Sequence, residues 1–421
     1  MEDGQGIFSE GFSHLVIEVS QQLVDGRSIN GKCEPGFEGV LAAFRANFEQ
    51  HEEVGASVCL THQGKTVVDL WGGLREPETG AEWGSDTVSI VYSCTKGATA
   101  LCAHILADQG KLDYNALVAD LWPEFAVGGK AKTTVGMMLG HTAPVPHLRE
   151  PIKASGLTDW DYMVERVAAE EAFWEPGTRQ GYHGLTYAWT VGNLVRLAAG
   201  MPLGAFFAQH VAGPLGLDFH IGLPESEERR VAPMIAPKPS EVNFASKFFR
   251  LATEHPGSLP NLFLTNQGGA DFNDPAIHAA EIGSANGITN ARGLAGMYGA
   301  LANGGGNLVS PETLARMGRV SAATHEDAVL MQPMRFAMGF MASTDNRDLG
   351  ADSVILGEMG FGHVGMGGSI GFADPAAGIS FGYTMNRMGA GILLNERGQA
   401  LVDAAYKSLG WRSNASGAWL A

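Results

Sequence analysis

An apolar, largely β-branched stretch, Thr87 to Tyr92, runs directly into Ser93-Cys94-Thr95-Lys96. The residues that follow (Ala98, Ala100, Leu101, Ala103, Ile105, Leu106) are apolar enough for a buried helix ending at Gly110. This junction constrains the chain more than any other stretch. A strand has to lead into a core helix whose first turn carries a lysine, and a buried cation is costly unless it has a partner or a task. If the helix begins at Ser93, the Ser93 and Lys96 side chains share a face, because positions i and i+3 are neighbours. A serine hydroxyl is a poor nucleophile at neutral pH, and a lysine partly stripped of water can be neutral enough to take its proton. The pair therefore points to acyl transfer. The plainer reading of S-x-x-K, a capping serine with a solvated lysine, suits an isolated match better than these apolar surroundings.

The rest of the chain reads as β-rich ends around a helical middle. The first fifty residues suggest a leading helix, a Gly-rich connection and a second helix from Gly39 to Gln50. Gly55 to Gly73 reads as a hairpin turning at Gln63-Gly64-Lys65. Helical patterns follow: a short helix ending near Trp122, a turn at Thr133 to Leu139, and Thr158 to Phe173 opened by a capping box of Thr158 and Asp161. Leu185 to Ala199, stopped by Gly200, and Pro202 to Val211 complete the helical block. From Gly222 to Gly287 the chain is irregular and proline-rich, and its scattered aromatics (Phe244, Phe248, Phe249, Phe263) suit the wall of a binding site. Helices return at Thr289 to Asn303 and Pro311 to Val320. Strands are expected at Arg335 to Ser343, Ser369 to Asp374 and Gly378 to Asn386, and a last helix at Glu396 to Leu409.

A chain of 421 residues can bury a large core, here in two lobes. Its net charge of −17 argues against nucleic acid and anionic membrane surfaces as partners, since both would repel it. Met1 to Gly6 is acidic and lacks the basic start and apolar core of a signal peptide, so a cytoplasmic location is the expectation. Cys33, Cys59, Cys94 and Cys102 lack metal-site spacing and are too few for a disulfide framework, so they read as free thiols. His141, His183 and His363 sit outside H-x-x-x-H or H-E-x-x-H spacing and near no carboxylate cluster, so neither a metal nor another cofactor is expected.

Three stretches now line up. Ser93-Cys94-Thr95-Lys96 comes first; Leu139-Gly140-His141-Thr142 follows, with Pro176-Gly177 leading to Tyr182-His183-Gly184; Gly362-His363-Val364-Gly365-Met366-Gly367-Gly368-Ser369 comes last. In this order the chain resembles serine β-lactamases and penicillin-binding proteins, and is most similar to class C β-lactamases and family VIII carboxylesterases. The resemblance runs from about Gly55 to the C-terminus, with the 222–287 segment unanchored. It implies an α+β fold, an α/β sandwich in which helices flank an antiparallel sheet built from 1–118 and 225–421, with an all-helical lobe over 119–224. It also implies Ser93 as the acylated nucleophile, Lys96 as its base and Tyr182 in the place of the family's Y-x-N tyrosine. The oxyanion hole would be the backbone N–H groups of Ser93 and Met366, and His363, Val364 and Gly365 would bind substrate where the family has K-T-G. A tyrosine near a lysine can have its pKa lowered and relay a proton to the leaving group.

Departures from that pattern bear on the substrate. The resemblance assigns the K-T-G lysine and threonine to a substrate carboxylate, and here they are His363 and Val364; the amide-binding asparagine is Gly184. Losing such polar contacts weakens recognition of penicillins and peptide stems, whereas ester hydrolysis needs none of them. A serine carboxylesterase acting on short- to medium-chain esters is the expected activity. The alternatives are a β-lactamase or D-Ala-D-Ala peptidase of the same fold, and a catalytically silent binding protein. A small-molecule ester is the expected partner, and a homo-oligomer is left open. Gly367-Gly368-Ser369-Ile370-Gly371 matches the G-x-S-x-G nucleophile elbow, but no histidine follows Ser369 and a strand hairpin stands where the elbow requires a helix.

Overall fold

The computed structural model describes residues 17–421. Its centre is an antiparallel sheet that begins with β1 (Ile17–Gln22), β2 (Ser28–Cys33), β3 (Gly55–His62) and β4 (Lys65–Glu76). In space the order is β1, β2, β4, β3, then Ile379–Met385, Ile370–Asp374, Phe361–Val364, Met341–Ala342, Met334–Phe336 and Ala322–Thr324. The hairpin between β3 and β4 turns at Gln63 and Gly64, both with positive φ (49° and 78°), the conformation whose twist suits a two-residue loop. The central pairing joins the two halves of the chain: β3 lies antiparallel to Ile379–Met385, with Val58 opposite Tyr383. The fold is thus the α+β arrangement expected.

Residue alternation decides which helices cover each face. Phe372 and Phe381 stack on one side, where Phe372 meets Tyr406 of the C-terminal helix Glu396–Ser408. That helix packs beside α1 (Glu38–Gln50). On the opposite face Gly371 and Gly382 leave room for the helix Ala291–Ala302; a Cβ at Gly382 would stand 2.8 Å from the Leu294 Cβ. Small polar residues bind that helix directly, Ser380 Oγ donating to Ala295 O (2.8 Å) and Ser57 Oγ accepting from Ala291 N–H (3.2 Å).

Helix α2 (Cys94–Asp108) is the pivot. Every residue from Cys94 to Leu106 is buried, as expected of a helix that is apolar on all sides. It contacts the strand Phe361–Val364 on one side and the helix Tyr187–Ala199 on the other. All named elements between Val118 and Leu215 are helical. All four cysteines are buried and free. Among the described residues no single helix is long and apolar enough to cross a membrane.

Several local expectations need correcting. Residues 17–33 form the β1–β2 hairpin where a leading helix was expected, and the portion before residue 17 lies outside the described residues. The helix expected over 158–173 spans Trp160–Ala169, capped by Asp159, whose carboxylate accepts from Tyr162 N–H (3.1 Å). The Thr158 hydroxyl is committed to Ser155 O (2.9 Å), and Glu170 leaves the helix to bind Arg149. The strand expected over 335–343 is two short ones, bent back at Gly339, whose φ is +90°. The segment 222–287 is not irregular throughout: it carries the helices Lys247–Glu254, Leu259–Thr265 and Pro275–Ala279, the second and third with proline in the first turn.

A buried ion pair fastens the C-terminal helix to the root of β3. Arg397 Nη1 donates to Glu53 Oε1 (2.7 Å), the Tyr383 phenol donates to the other carboxylate oxygen, and Arg397 Nη2 donates to Arg387 O (2.7 Å). Burial pushes the Glu53 carboxyl up while the guanidinium and phenol pull it back. Replacing Arg397 by alanine leaves that carboxylate without its counter-charge, so Arg397→Ala is expected to lower stability by about 3–5 kcal/mol in urea unfolding. The Glu53→Gln/Arg397→Met double variant is expected to recover most of that loss.

Candidate active site

The turn that delivers Ser93 is strained and tightly held. Tyr92 has φ +42°, an uncommon conformation for a residue with a side chain. Its carbonyl accepts from both the N–H (3.0 Å) and the hydroxyl (2.5 Å) of Thr95, and its ring packs on Phe272 at 5.3 Å. Ser93 follows with helical dihedrals and makes no capping hydrogen bond; its side chain is partly exposed. The Ser93 hydroxyl, not used as a cap, is thus free for another partner.

That partner is Lys96, which is fully buried. Its Nζ donates to Gly184 O (2.8 Å) and Ser284 O (2.9 Å) and lies 3.0 Å from Ser93 Oγ. Burial drives its pKa well below the usual lysine range, and no carboxylate acts against that. A neutral amine has two N–H bonds and one lone pair. Two carbonyls take the N–H bonds, so the lone pair is left for the serine proton, which suits a base rather than a cation.

Tyr182 sits beside this pair, its ring centroid 4.8 Å from Lys96 Nζ. Burial raises the phenol pKa, partly offset by a hydrogen bond with Ser93, so the lowered value expected from a neighbouring lysine is not what this environment produces. Burial also disfavours the charged form of Lys96, which weakens the pull that would have favoured a phenolate. The loop carrying Tyr182 is moored by backbone donors: Gly181 N–H to His141 O (3.0 Å), Tyr182 N–H to Asp327 Oδ1 (3.0 Å), His183 N–H to His141 Nδ1 (3.1 Å). His141 has positive φ (60°) and is fully buried, with its ring 5.1 Å from that of Tyr182. Burial also pushes His183 and His363 down to about 3, so both are neutral near pH 7.

The strand Phe361–Val364 closes the site from the sheet side. Cys94 Sγ donates to His363 O (3.2 Å), and Ser369 Oγ donates to Val91 O (3.2 Å), tying the strand to the nucleophile turn. A Cβ at Gly365 would stand 3.1 Å from the Val91 carbonyl carbon, so only glycine permits this approach. His363 Nδ1 donates to Val364 O (2.7 Å); its Nε2 has no partner among the described residues. Val364 joins the apolar cluster of the sheet. Met366, in the turn after Gly365, is partly exposed. Neither its N–H nor that of Ser93 donates to a protein acceptor among the described residues, which leaves both donors open to a ligand. Ser369 is buried and followed by a strand, so no elbow forms there.

Ser93, Lys96, Tyr182, His363 and Gly365 therefore converge, although some 270 positions separate the first from the last. Three groups that moor the site had no motif to reveal them. Asp327 is fully buried, accepts from the N–H groups of Tyr182, Val329 and Leu330, and looks in the sequence like any isolated aspartate. The carbonyls of Gly184 and Ser284 are backbone atoms, which no sequence pattern specifies.

The buried amine has a consequence for stability. Its folded pKa lies below the unfolded value near 10.5, so over that window the unfolded chain holds a proton that the folded chain lacks. Stability then rises with pH across the window, by up to about 1.4 kcal/mol per pH unit. Measured by urea unfolding between pH 7 and 9.5, the wild type is expected to gain on a Lys96→Met variant; a constant difference would mean that Lys96 stays charged.

Comparison with known proteins adds an independent line. A family model described as Beta-lactamase matches residues 40–405. The chain is 33% identical over 391 residues to the esterase/beta-lactamase LipL of Mycobacterium tuberculosis (strain ATCC 25618 / H37Rv), covering 90% of this chain and 87% of that protein. It is similar to the crystal structure of a family VIII carboxylesterase, with a TM-score of 0.78 and 40% identity over 90% of this chain and 99% of that one. A penicillin-binding protein homologue from Caulobacter crescentus aligns with a TM-score of 0.79 and 33% identity, again over 90% and 99% of the two chains. The central antiparallel sheet, the helices on its two faces and these matches together mean that the chain belongs to the β-lactamase family of serine hydrolases.

Proposed function

We propose that the protein is a carboxylesterase that cleaves short- to medium-chain esters through an acyl-enzyme on Ser93. The observation that carries this reading is the Lys96 amine, buried without a carboxylate and left with one free lone pair 3.0 Å from Ser93 Oγ. Lys96 takes the serine proton as Oγ attacks the ester carbonyl. The N–H groups of Ser93 and Met366 receive the charge on the carbonyl oxygen, which costs no reorganisation because both donors are already free. Tyr182, a phenol that holds its proton in this environment, donates it to the departing alkoxide and is reprotonated from the Lys96 ammonium. Water then attacks the acyl-enzyme with Lys96 again as base, returning acid and free serine. No cofactor is needed.

Esters rather than lactams are favoured by the groups that replace the family's polar ones. Gly184 offers no side-chain amide, and His363 is neutral near pH 7, so the site lacks both the amide and the positive charge that the replaced groups would supply. The similarity to a family VIII carboxylesterase supports the same choice, while the name of the curated relative covers both activities.

With p-nitrophenyl butyrate as substrate, Ser93→Ala is expected to lower kcat by at least about a thousandfold. Ser369→Ala is expected to keep most of the activity, and the reverse pattern overturns the assignment. A fluorophosphonate probe is expected to label Ser93; a folded sample that resists labelling indicates a silent binding protein. Fast cleavage of a chromogenic cephalosporin without ester turnover indicates a lactamase. The pH dependence of kcat/KM is expected to fall on the acid side as Lys96 takes up a proton, and to hold through neutral and mildly alkaline pH, where the amine is free.

A further inference from the structure

Gly184 stands where the resemblance expects an asparagine, and the space that side chain would need is already filled. The Gly184 carbonyl accepts from Lys96 Nζ (2.8 Å), which places this residue two hydrogen bonds from the Ser93 hydroxyl. A Cβ built at Gly184 stands 2.7 Å from Cδ2 of Phe263 and closer still to Cε2. Phe263 belongs to the helix Leu259–Thr265, is only partly buried, and tilts over Tyr182 with ring centroids 6.3 Å apart.

The ring is braced from behind. Phe248 meets it edge-on (5.7 Å, 81°), and Phe249 meets Phe248 in the same way (5.2 Å, 83°). Lys247, at the head of the helix Lys247–Glu254 that carries Phe248 and Phe249, pairs with Glu326, the neighbour of the aspartate that moors the Tyr182 loop. The aromatic wall and the catalytic loop are therefore held by the same stretch of chain. Edge-on ring contacts of this kind resist the swing that a side chain at 184 would demand.

We propose that Phe263 is a specificity-determining residue: by filling the space beside Gly184 it gives the acyl pocket an aromatic wall that accepts an unbranched alkyl chain and turns away an amide-bearing one. This rests on the reading of Ser93 as the acylated nucleophile. The acyl group stays bonded to Ser93 through both chemical steps, so it is the part of the substrate that remains beside Gly184. Against a phenyl ring, an alkyl chain exchanges water for apolar contact. A substrate amide would lose its hydrogen bonds to water and find none in return, and a site discriminates most strongly through such unpaired groups.

The test is kcat/KM for p-nitrophenyl acetate, butyrate, octanoate and decanoate, alongside a chromogenic cephalosporin, in the wild type and in Phe263→Ala, Phe263→Leu, Gly184→Asn and Gly184→Asn/Phe263→Ala. Phe263→Ala is expected to lower kcat/KM for butyrate by about tenfold, mainly through KM, and to move the optimum to longer chains. Gly184→Asn alone is expected to lose about a hundredfold or more, and the double variant to return to within about tenfold of Phe263→Ala, because the collision is gone. An unchanged chain-length profile in both Phe263 variants overturns the proposal, as does a folded double variant no better than Gly184→Asn. Should the Gly184 variants not fold, the two Phe263 profiles decide alone. Absence of ester turnover by the wild type overturns the esterase reading as well, whereas turnover with an unaltered profile removes only this inference.

Discussion

The rest of the site depends on one constraint: an amine has been buried with carbonyls for company and no carboxylate. A charged Lys96 in that position would have to be desolvated without a counter-charge, and the cheaper state is the neutral one. Gly184 O and Ser284 O then take the two N–H bonds, and the geometry leaves a lone pair where the Ser93 hydroxyl lies. Burial raises the Tyr182 phenol as well, which fits the acid role toward a leaving group proposed for it.

Around this amine the protein spends strain and buried polarity to hold positions. Tyr92 and His141 both adopt positive φ, one leading into Ser93 and the other bracing the Tyr182 loop. Asp327 is buried with a raised pKa yet takes three backbone donors, two from its own turn and one, the Tyr182 N–H, that ties this turn to the same loop. Such features weaken a fold locally and persist because the surrounding packing over-determines them. The stability that carries them comes from the sheet, its two helical faces and the buried Glu53–Arg397 link.

The sequence-based reading went furthest where chemistry and periodicity coincide. The β3–β4 hairpin, α2 and the last hairpin of the sheet follow from local pattern, since apolar alternation and turn residues act over a few positions. It failed where a distant contact overruled a local preference. It also failed locally, at Thr158, where Asp159 takes the Tyr162 N–H as the cap and the threonine hydroxyl donates back to Ser155 O. Residues 17–33 became strands because a sheet edge was available beside β4. The proline-rich segment after Gly222 was legible as a wall but not as helices, because its helices are short and take their order from packing.

By itself the sequence determined the family and its candidate groups: a serine and a lysine one helical turn apart, a tyrosine after a Pro-Gly turn, and a glycine-rich strand end, in an order that resembles one family. Those are properties of residue type and spacing, which local geometry can express. Only the tertiary structure decided that Lys96 is dry and that two backbone N–H groups are left open. It alone put Phe263 where an asparagine would otherwise reach. Protonation, free donors and pocket shape are set by which atoms from distant segments exclude water from a point, and no local stretch of chain carries that information.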